Sequence, residues 1–256
     1  MTALTTAPER SVRALLARRQ PVDLVWLSLG CTALAEMAAQ SLPAAVVLDL
    51  QHGQWERASL EAAVGLVRPV TQILARVAEN RPHAISQVLD AGAHGVIVPL
   101  VETAEQAAFA VSCSRYPPLG KRSSGGTRPL LYGMDPARTN EEIVVGVMIE
   151  TMAGVAHAEA IAATPGVDFV FIGPGDLRLS KGAASPDGIR EECEHVKSVC
   201  ARLGVPCGIF TLNAESALAQ FNAGFALAVT ASDFGVFARG LKEASGVAAA
   251  CKGIAA

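Results

Sequence analysis

At 256 residues with a net charge of -3, the chain has the size of one large α/β domain and lacks the basic surplus that a nucleic-acid or polyphosphate partner requires. Hydrophobic residues make up 51% against 18% charged, enough to cover both faces of a parallel sheet, while aromatics at 5% are too sparse for base stacking. No apolar run approaches a membrane span, and the first twenty residues, although they hold Arg10, Arg13, Arg18 and Arg19, lack the continuous apolar segment of a secretory signal.

That arginine-rich start is compatible with an organelle transit peptide. The spacing of Val12, Leu15 and Leu16 instead predicts a short amphipathic helix over Pro8 to Gln20 that covers the bottom of the domain, in a cytoplasmic protein. Short apolar runs then predict strands at Leu24 to Leu29, Ala45 to Leu48, Gln72 to Val77, Gly95 to Pro99, Val144 to Ile149, Phe169 to Ile172, Cys207 to Phe210 and Ala226 to Thr230. Helical patterns fall between and after them at Thr32 to Gln40, Arg57 to Leu66, Pro82 to Asp90, Thr103 to Cys113, Gly154 to Ala163, Ile189 to Leu203, Asn213 to Ala223 and Phe234 to Ala249. Eight alternating units without a linker predict a single (β/α)8 barrel. A dinucleotide-binding sheet would need a glycine fingerprint after the first strand, where Leu29-Gly30-Cys31-Thr32 stands instead.

The stretch Arg115 to Glu142 is too long for an ordinary connection and rich in Gly, Pro and Arg, which marks it as functional or involved in assembly. Its Gly120-Lys121-Arg122-Ser123 lacks the residue order of a phosphate loop, and Arg122 and Arg128 could clamp a substrate carboxylate or anchor a subunit contact. The six cysteines have neither CxxC nor zinc spacing and read as small buried hydrophobes in a reducing compartment.

The chemistry sits at strand ends. Glu150 closes the Val144 to Ile149 run, and Asp176 follows Phe169 to Ile172 through Gly173-Pro174-Gly175, so two carboxylates on consecutive strands suit Mg or Mn rather than a closed zinc site. The competing role for each acid is to cap the helix that follows. Gly175 lets its own N-H and that of Asp176 approach a carboxylate. Arg76 leaves an apolar strand with no acid beside it in sequence, which aims a cation into the barrel mouth or into a structural ion pair. His52 follows Asp49 at another strand end, where the carboxylate would hold its tautomer and raise its basicity; His83, His94, His157 and His195 read as helical or surface residues. Asp90 ends a helix, where an acid opposes the dipole and calls for a partner, for which His52 is a candidate.

Asp49-Leu50-Gln51-His52-Gly53, Arg76-Val77, Leu89-Asp90-Ala91-Gly92-Ala93, Arg115-Tyr116-Pro117-Pro118-Leu119-Gly120, Met148-Ile149-Glu150-Thr151 and Ile172-Gly173-Pro174-Gly175-Asp176-Leu177, in this order, resemble the HpcH/HpaI aldolase family, the metal-dependent class II pyruvate aldolases. The likeness runs from about Leu24 to Ala238. It implies a (β/α)8 barrel, a homo-oligomer that is often a hexamer exchanging its last helices, and a divalent Mg, Mn or Co ion. Carried over by position, it implies Glu150 and Asp176 as metal ligands, Arg76 as the stabiliser of a pyruvate enolate, and His52 with Asp49 and Asp90 as the acid/base group. The implied substrates are a 2-oxo acid and an aldehyde, joined or separated as 4-hydroxy-2-oxo acids, with oxaloacetate decarboxylation as a side activity. Met148, the Ser123-Ser124-Gly125-Gly126 run, Arg178 and Lys181 depart from the family pattern and bear on the aldehyde half. Because the family also holds citrate-forming enzymes and CoA-ester lyases, the motif set leaves the substrate open, and a barrel that binds a 2-oxo acid as a sensor is the reading from another class.

Overall fold

The computed structural model describes residues 10–133, 135–182 and 188–252. The chain opens with helix α1 (Val12–Ala17) and then alternates β1 (Val22–Leu27), α2 (Thr32–Gln40), β2 (Ala45–Asp49), α3 (Arg57–Val67), β3 (Gln72–Arg76), α4 (Pro82–Asp90), β4 (Gly95–Val98) and α5 (Ala104–Ser114). The long connection holds two short helices, α6 (Thr127–Leu131) and α7 (Pro136–Glu142). There follow β5 (Val144–Ile149), α8 (Met152–Ala156), α9 (Ala158–Ala162), β6 (Phe169–Ile172), α10 (Pro174–Lys181), α11 (Arg190–Leu203), β7 (Cys207–Ile209), α12 (Ala214–Asn222), β8 (Leu227–Ser232) and α13 (Asp233–Lys252). The strands form a closed parallel barrel in sequence order, β8 pairing back onto β1.

All eight predicted strands form, with ends shifted by a residue or two. The helix expected over Gly154 to Ala163 is broken at His157 into α8 and α9, and α10 is an additional helix between β6 and α11. Of the expected first helix, residues 12–17 are α-helical. Ser11 caps them, its side chain accepting from the Ala14 N-H, and Val12 and Leu16 are buried against the barrel floor. Residues 8 and 9 lie outside the described part, as do the side chain of Cys251 and those of Val247 to Ala249 at the end of the last predicted helix.

Successive strand residues point to opposite faces, so one set fills the barrel and the other meets the helices. Leu24 and Trp26, Ala45 and Val47, Leu74, Ile97, Val144 and Met148, Phe169 and Phe171, and Leu227 and Val229 form the interior cluster. Val46 and Leu48, Ile73 and Ala75, Val145 and Val147, and Val170 and Ile172 belong to the outer cluster with the helices. Carried two residues further along β2, β3 and β5, the inward parity lands on Asp49, Arg76 and Glu150. The site residues are thus the polar ends of columns whose lower members are core.

The floor is closed by charge. Asp168, just before β6, pairs with Arg13 at 2.9 Å and Arg115 at 3.3 Å and accepts the Val145 N-H at 2.7 Å. Arg115, buried, also donates to the backbone oxygens of Asn140 and Ile143. The Asn140 side chain bridges the connection to itself, accepting the Tyr116 N-H and donating to the Tyr116 carbonyl. Arg122 pairs with Asp90 at 2.7 Å, and Arg128 donates to the Glu61 carbonyl at 2.8 Å. Because α4 runs down the outside of the barrel, its last residue, Asp90, lies at the end opposite the mouth. Two expectations are corrected here: the partner of Asp90 is Arg122 rather than His52, which takes Asp90 out of the acid/base group at its own barrel's mouth, and neither Arg122 nor Arg128 reaches that mouth to clamp a substrate. His94, expected on a helix or the surface, sits between α4 and β4, where its Nδ1 accepts the Ile73 N-H; burial, then the charge of Arg68, lowers its pKa to about 3.

Removing the Asp168 carboxylate leaves Arg115 buried without its acid. We expect Asp168→Ala to lower unfolding stability by about 2–4 kcal/mol, read from denaturant midpoints at fixed protein concentration; a loss below about 1 kcal/mol would show that the floor network is dispensable.

Candidate active site

The mouth is assembled on the register of adjacent strands. Asp49, the last residue of β2, is paired across the sheet with Arg76, the last residue of β3. Their side chains form a bidentate salt bridge, Arg76 Nε to Asp49 Oδ1 at 2.8 Å and a terminal nitrogen to Oδ2 at 2.6 Å. Asp49 also accepts from the indole of Trp26 at 3.2 Å, the Ser28 hydroxyl at 3.3 Å and the backbone N-H groups of Gln51 and His52. Asp49 is 2% exposed. Although burial by itself raises a carboxyl pKa, the Arg76 partner and these donors together hold that of Asp49 below its ordinary value. Arg76 also stacks over the Trp26 ring, 5.2 Å from its centroid.

This geometry differs from the sequence expectation in two ways. Arg76 does have an acid beside it, on the neighbouring strand rather than its own. Asp49 grips the His52 backbone N-H rather than the ring, and His52 is exposed at the lip of the mouth. The tight corner between them depends on Gly53, where a Cβ would stand 2.1 Å from the Asp49 carbonyl oxygen.

Glu150 and Asp176 are brought together as expected. Glu150 follows β5 and is 1% exposed; Asp176 lies in the first turn of α10, half-buried, near enough to share a hydrogen bond with Glu150. Gly173 makes the space: a Cβ there would lie 2.5 Å from Glu150 Oε2 and 3.2 Å from the Met148 sulfur. Glu150 Oε1 accepts the Leu100 N-H at 2.9 Å. Leu100 adopts φ 54, a left-handed conformation unusual for leucine, in the turn that presents this N-H. Burial, reinforced by the charge of Asp176 and opposed by Leu100 and Arg76, pushes the Glu150 carboxyl up to about 7.

Two hard-oxygen carboxylates pressed together, one of them buried, suit a divalent cation that keeps part of its water. Among the described residues no third His, Cys, Asp or Glu joins them, so the donor set does not match a closed zinc site. Gly175, at the start of α10, faces open space, which leaves that helix N-terminus accessible to an anion. Lys181, one of the departures from the family pattern, is paired with Glu192 of α11 at 2.7 Å.

Several contributors to the mouth carry no signal in the sequence. Trp26 looked like one more strand hydrophobe. Asp233, at the start of α13, accepts the N-H groups of Ser28 at 3.0 Å and Leu29 at 2.8 Å and so holds the loop after β1. The Leu100 N-H is a backbone group with no sequence signature. A cavity of about 400 Å³ opens beside Arg76, lined by Trp26, Leu29, Asp49, His52, Phe210 and Phe234 among others. A second, of about 390 Å³, lies beside the loops after β3 and β4; its Glu79 is already paired with Arg81, and it lacks the convergent charges of the mouth.

The chain is similar to known proteins of one family. The profile described as HpcH/HpaI aldolase/citrate lyase matches residues 23–224. A 4-hydroxy-2-oxovalerate aldolase from Novosphingobium aromaticivorans is 36% identical over 84% of this chain and 84% of its own. A 5-keto-4-deoxy-D-glucarate aldolase from Salmonella arizonae is 35% identical over 77% of this chain and 80% of its own. The crystal structure of an HpcH/HpaI aldolase/citrate lyase family protein from Burkholderia cenocepacia superposes with a TM-score of 0.86 at 29% identity, covering 93% of this chain and 98% of that one. The protein is therefore a carbon-carbon lyase of aldolase type and belongs to the HpcH/HpaI aldolase/citrate lyase family.

Proposed function

We propose that the protein is a class II pyruvate aldolase that cleaves, or in reverse forms, 4-hydroxy-2-oxo acids, with pyruvate as one product and an aldehyde as the other. The observation that carries this reading is the convergence at one mouth of a paired arginine, Arg76, with the Glu150–Asp176 carboxylates, close enough for Arg76 to bear on the Glu150 pKa. Glu150 and Asp176 would hold Mg, Mn or Co, and such a cation, when bound, supplies Lewis-acid polarisation of the substrate's 2-oxo group.

The chain's own groups do the rest. His52, at the lip, takes the proton from the C4 hydroxyl. The electron pair of the C3–C4 bond passes to C3 as the aldehyde leaves, and Arg76, held rigid by Asp49 and Trp26, offsets the enolate charge. The N-H groups of Gly175 and Asp176 orient the substrate carboxylate at the α10 N-terminus. C3 then takes a proton to give pyruvate. Oxaloacetate decarboxylation yields the same enolate without the C4 proton transfer. We assign the functional form as a homo-oligomer, in the family's case a hexamer, and the exposed Val236, Phe237 and Leu241 on α13 supply an apolar face for it.

The test separates base from cation. His52→Ala should lower aldol cleavage by about 10²–10⁴-fold while decarboxylation falls less than about tenfold. Arg76→Ala should lower both by about 10²–10³-fold, with Arg76→Lys a poor rescue because it lacks the bidentate fork to Asp49. Equal losses of both activities in His52→Ala would remove that residue as the base, and near-normal turnover in Arg76→Ala would make the arginine structural.

The carboxylates make a separate prediction. Glu150→Gln and Asp176→Asn should each weaken binding of Mn, measured by titration, without unfolding the chain. In chelator-treated protein, Glu150 titrates near 7 when folded and near 4.5 when unfolded, so the folded state holds the extra proton between those values. Its contribution to stability is present below pH 4.5 and is lost as pH rises through about 7. Added Mn, which competes with that proton, should therefore stabilise more at pH 7.5 than at about pH 5, and Glu150→Gln should flatten the chelated profile over this range; an unchanged profile in the variant would show that Glu150 is not the titrating group.

A further inference from the structure

The cavity beside Arg76 is lopsided in chemistry, and the inference drawn from it rests on the aldolase reading above. It lies on the β7, β8, β1, β2 and β3 side of the mouth, whereas Glu150 and Asp176 follow β5 and β6. Its wall is aromatic: the Trp26 indole meets the Phe210 ring edge-on at 5.3 Å between centroids, and Leu29 and the exposed Phe234 line it as well. Ser28, Gln54 and Ser232 add neutral hydrogen-bonding groups. Arg76 is the one arginine or lysine among the described lining residues, and its Nε and one terminal nitrogen are engaged by Asp49.

With His52 as the base, an aldehyde leaving C4 beside it would have its tail in this cavity, because His52 is one of the lining residues. A tail ending in a carboxylate would lose water against aromatic carbon beside the buried charge of Asp49, with Arg76 already paired to Asp49 and His52, once protonated, facing the C4 oxygen rather than the tail. An apolar tail would gain by leaving water and packing against the wall that the two rings form together. We propose that the aldehyde half of the substrate is uncharged, with an apolar alkyl or aromatic tail seated against Trp26 and Phe210, and that this wall rejects aldehyde acids. The reaction balances as before: the C3–C4 bond breaks, its electron pair goes to the pyruvate half, and the hydroxyl proton goes to His52.

The test is the acceptor preference of the intact enzyme, supplied with Mn and pyruvate and assayed for aldol formation with butanal and with succinic semialdehyde, which have the same carbon count and differ by a carboxylate. We expect kcat/KM to favour butanal by about tenfold or more; a smaller preference, or a preference for the semialdehyde, overturns the proposal. Phe210→Arg, which adds a cation to the wall, should shift the ratio toward the semialdehyde by about tenfold, and a folded variant with an unchanged ratio also overturns it. If Phe210→Arg does not fold, the wild-type ratio decides alone. Decarboxylation of oxaloacetate, run alongside, separates the failures. Aldol formation that favours the anionic acceptor sinks this inference and leaves the aldolase standing, whereas absence of aldol formation with every acceptor together with absence of decarboxylation sinks both.

Discussion

The mouth of this barrel depends on the bidentate pair between Asp49 and Arg76. A guanidinium at the end of an apolar strand would swing freely or turn to water. Here it is pinned by a carboxylate one strand away and by the face of Trp26. The same carboxylate gathers donors from the loop after β1 and from the corner after β2, so three consecutive units of the barrel are fastened to one side chain. The pair is buried, and its worth lies in orientation more than in net stability, because dehydrating both ions offsets most of their attraction.

The pairing also sets the charge balance. The mouth carries Asp49, Glu150 and Asp176 against Arg76, and Asp49 already engages that arginine. Glu150 is left with one backbone donor, one carboxylate neighbour and a distant share of Arg76, and its pKa rises to about 7. A site that keeps two acids together while its nearby arginine is already paired with a third is poised for a divalent ion, and the turn at Leu100 holds one of those acids in place from the outside.

Much of this was legible from residue order. Short apolar runs gave the strands because both faces of a parallel barrel are covered, and acids or cations at their C-terminal ends stood out against that background. Period-two alternation even carries Asp49, Arg76 and Glu150 inward. What was not legible depends on neighbours in space. That Arg76 faces an acid follows from strand register, which no single segment encodes. The Arg122 partner of Asp90 comes from a connection that folds under the barrel, 32 residues away in the chain. Trp26, Phe210 and Leu29 are ordinary hydrophobes in sequence and become a wall only when β7 and β8 close onto β1. The break at His157 is an element boundary of the kind that propensity places poorly.

Asp233 begins the last helix, yet it receives the N-H groups of Ser28 and Leu29, more than 200 residues earlier, at the point where the first unit turns back. The loop that brings Leu29 to the cavity wall is therefore shaped by the final tenth of the chain. During synthesis Ser28 and Leu29 emerge long before Asp233 does, and until it follows the loop has the Ser28–Asp49 bond but not the carboxylate that receives its backbone N-H groups. A chain released short of β8 has most of the residues of the site but neither the strand that closes the barrel nor the carboxylate that holds this loop.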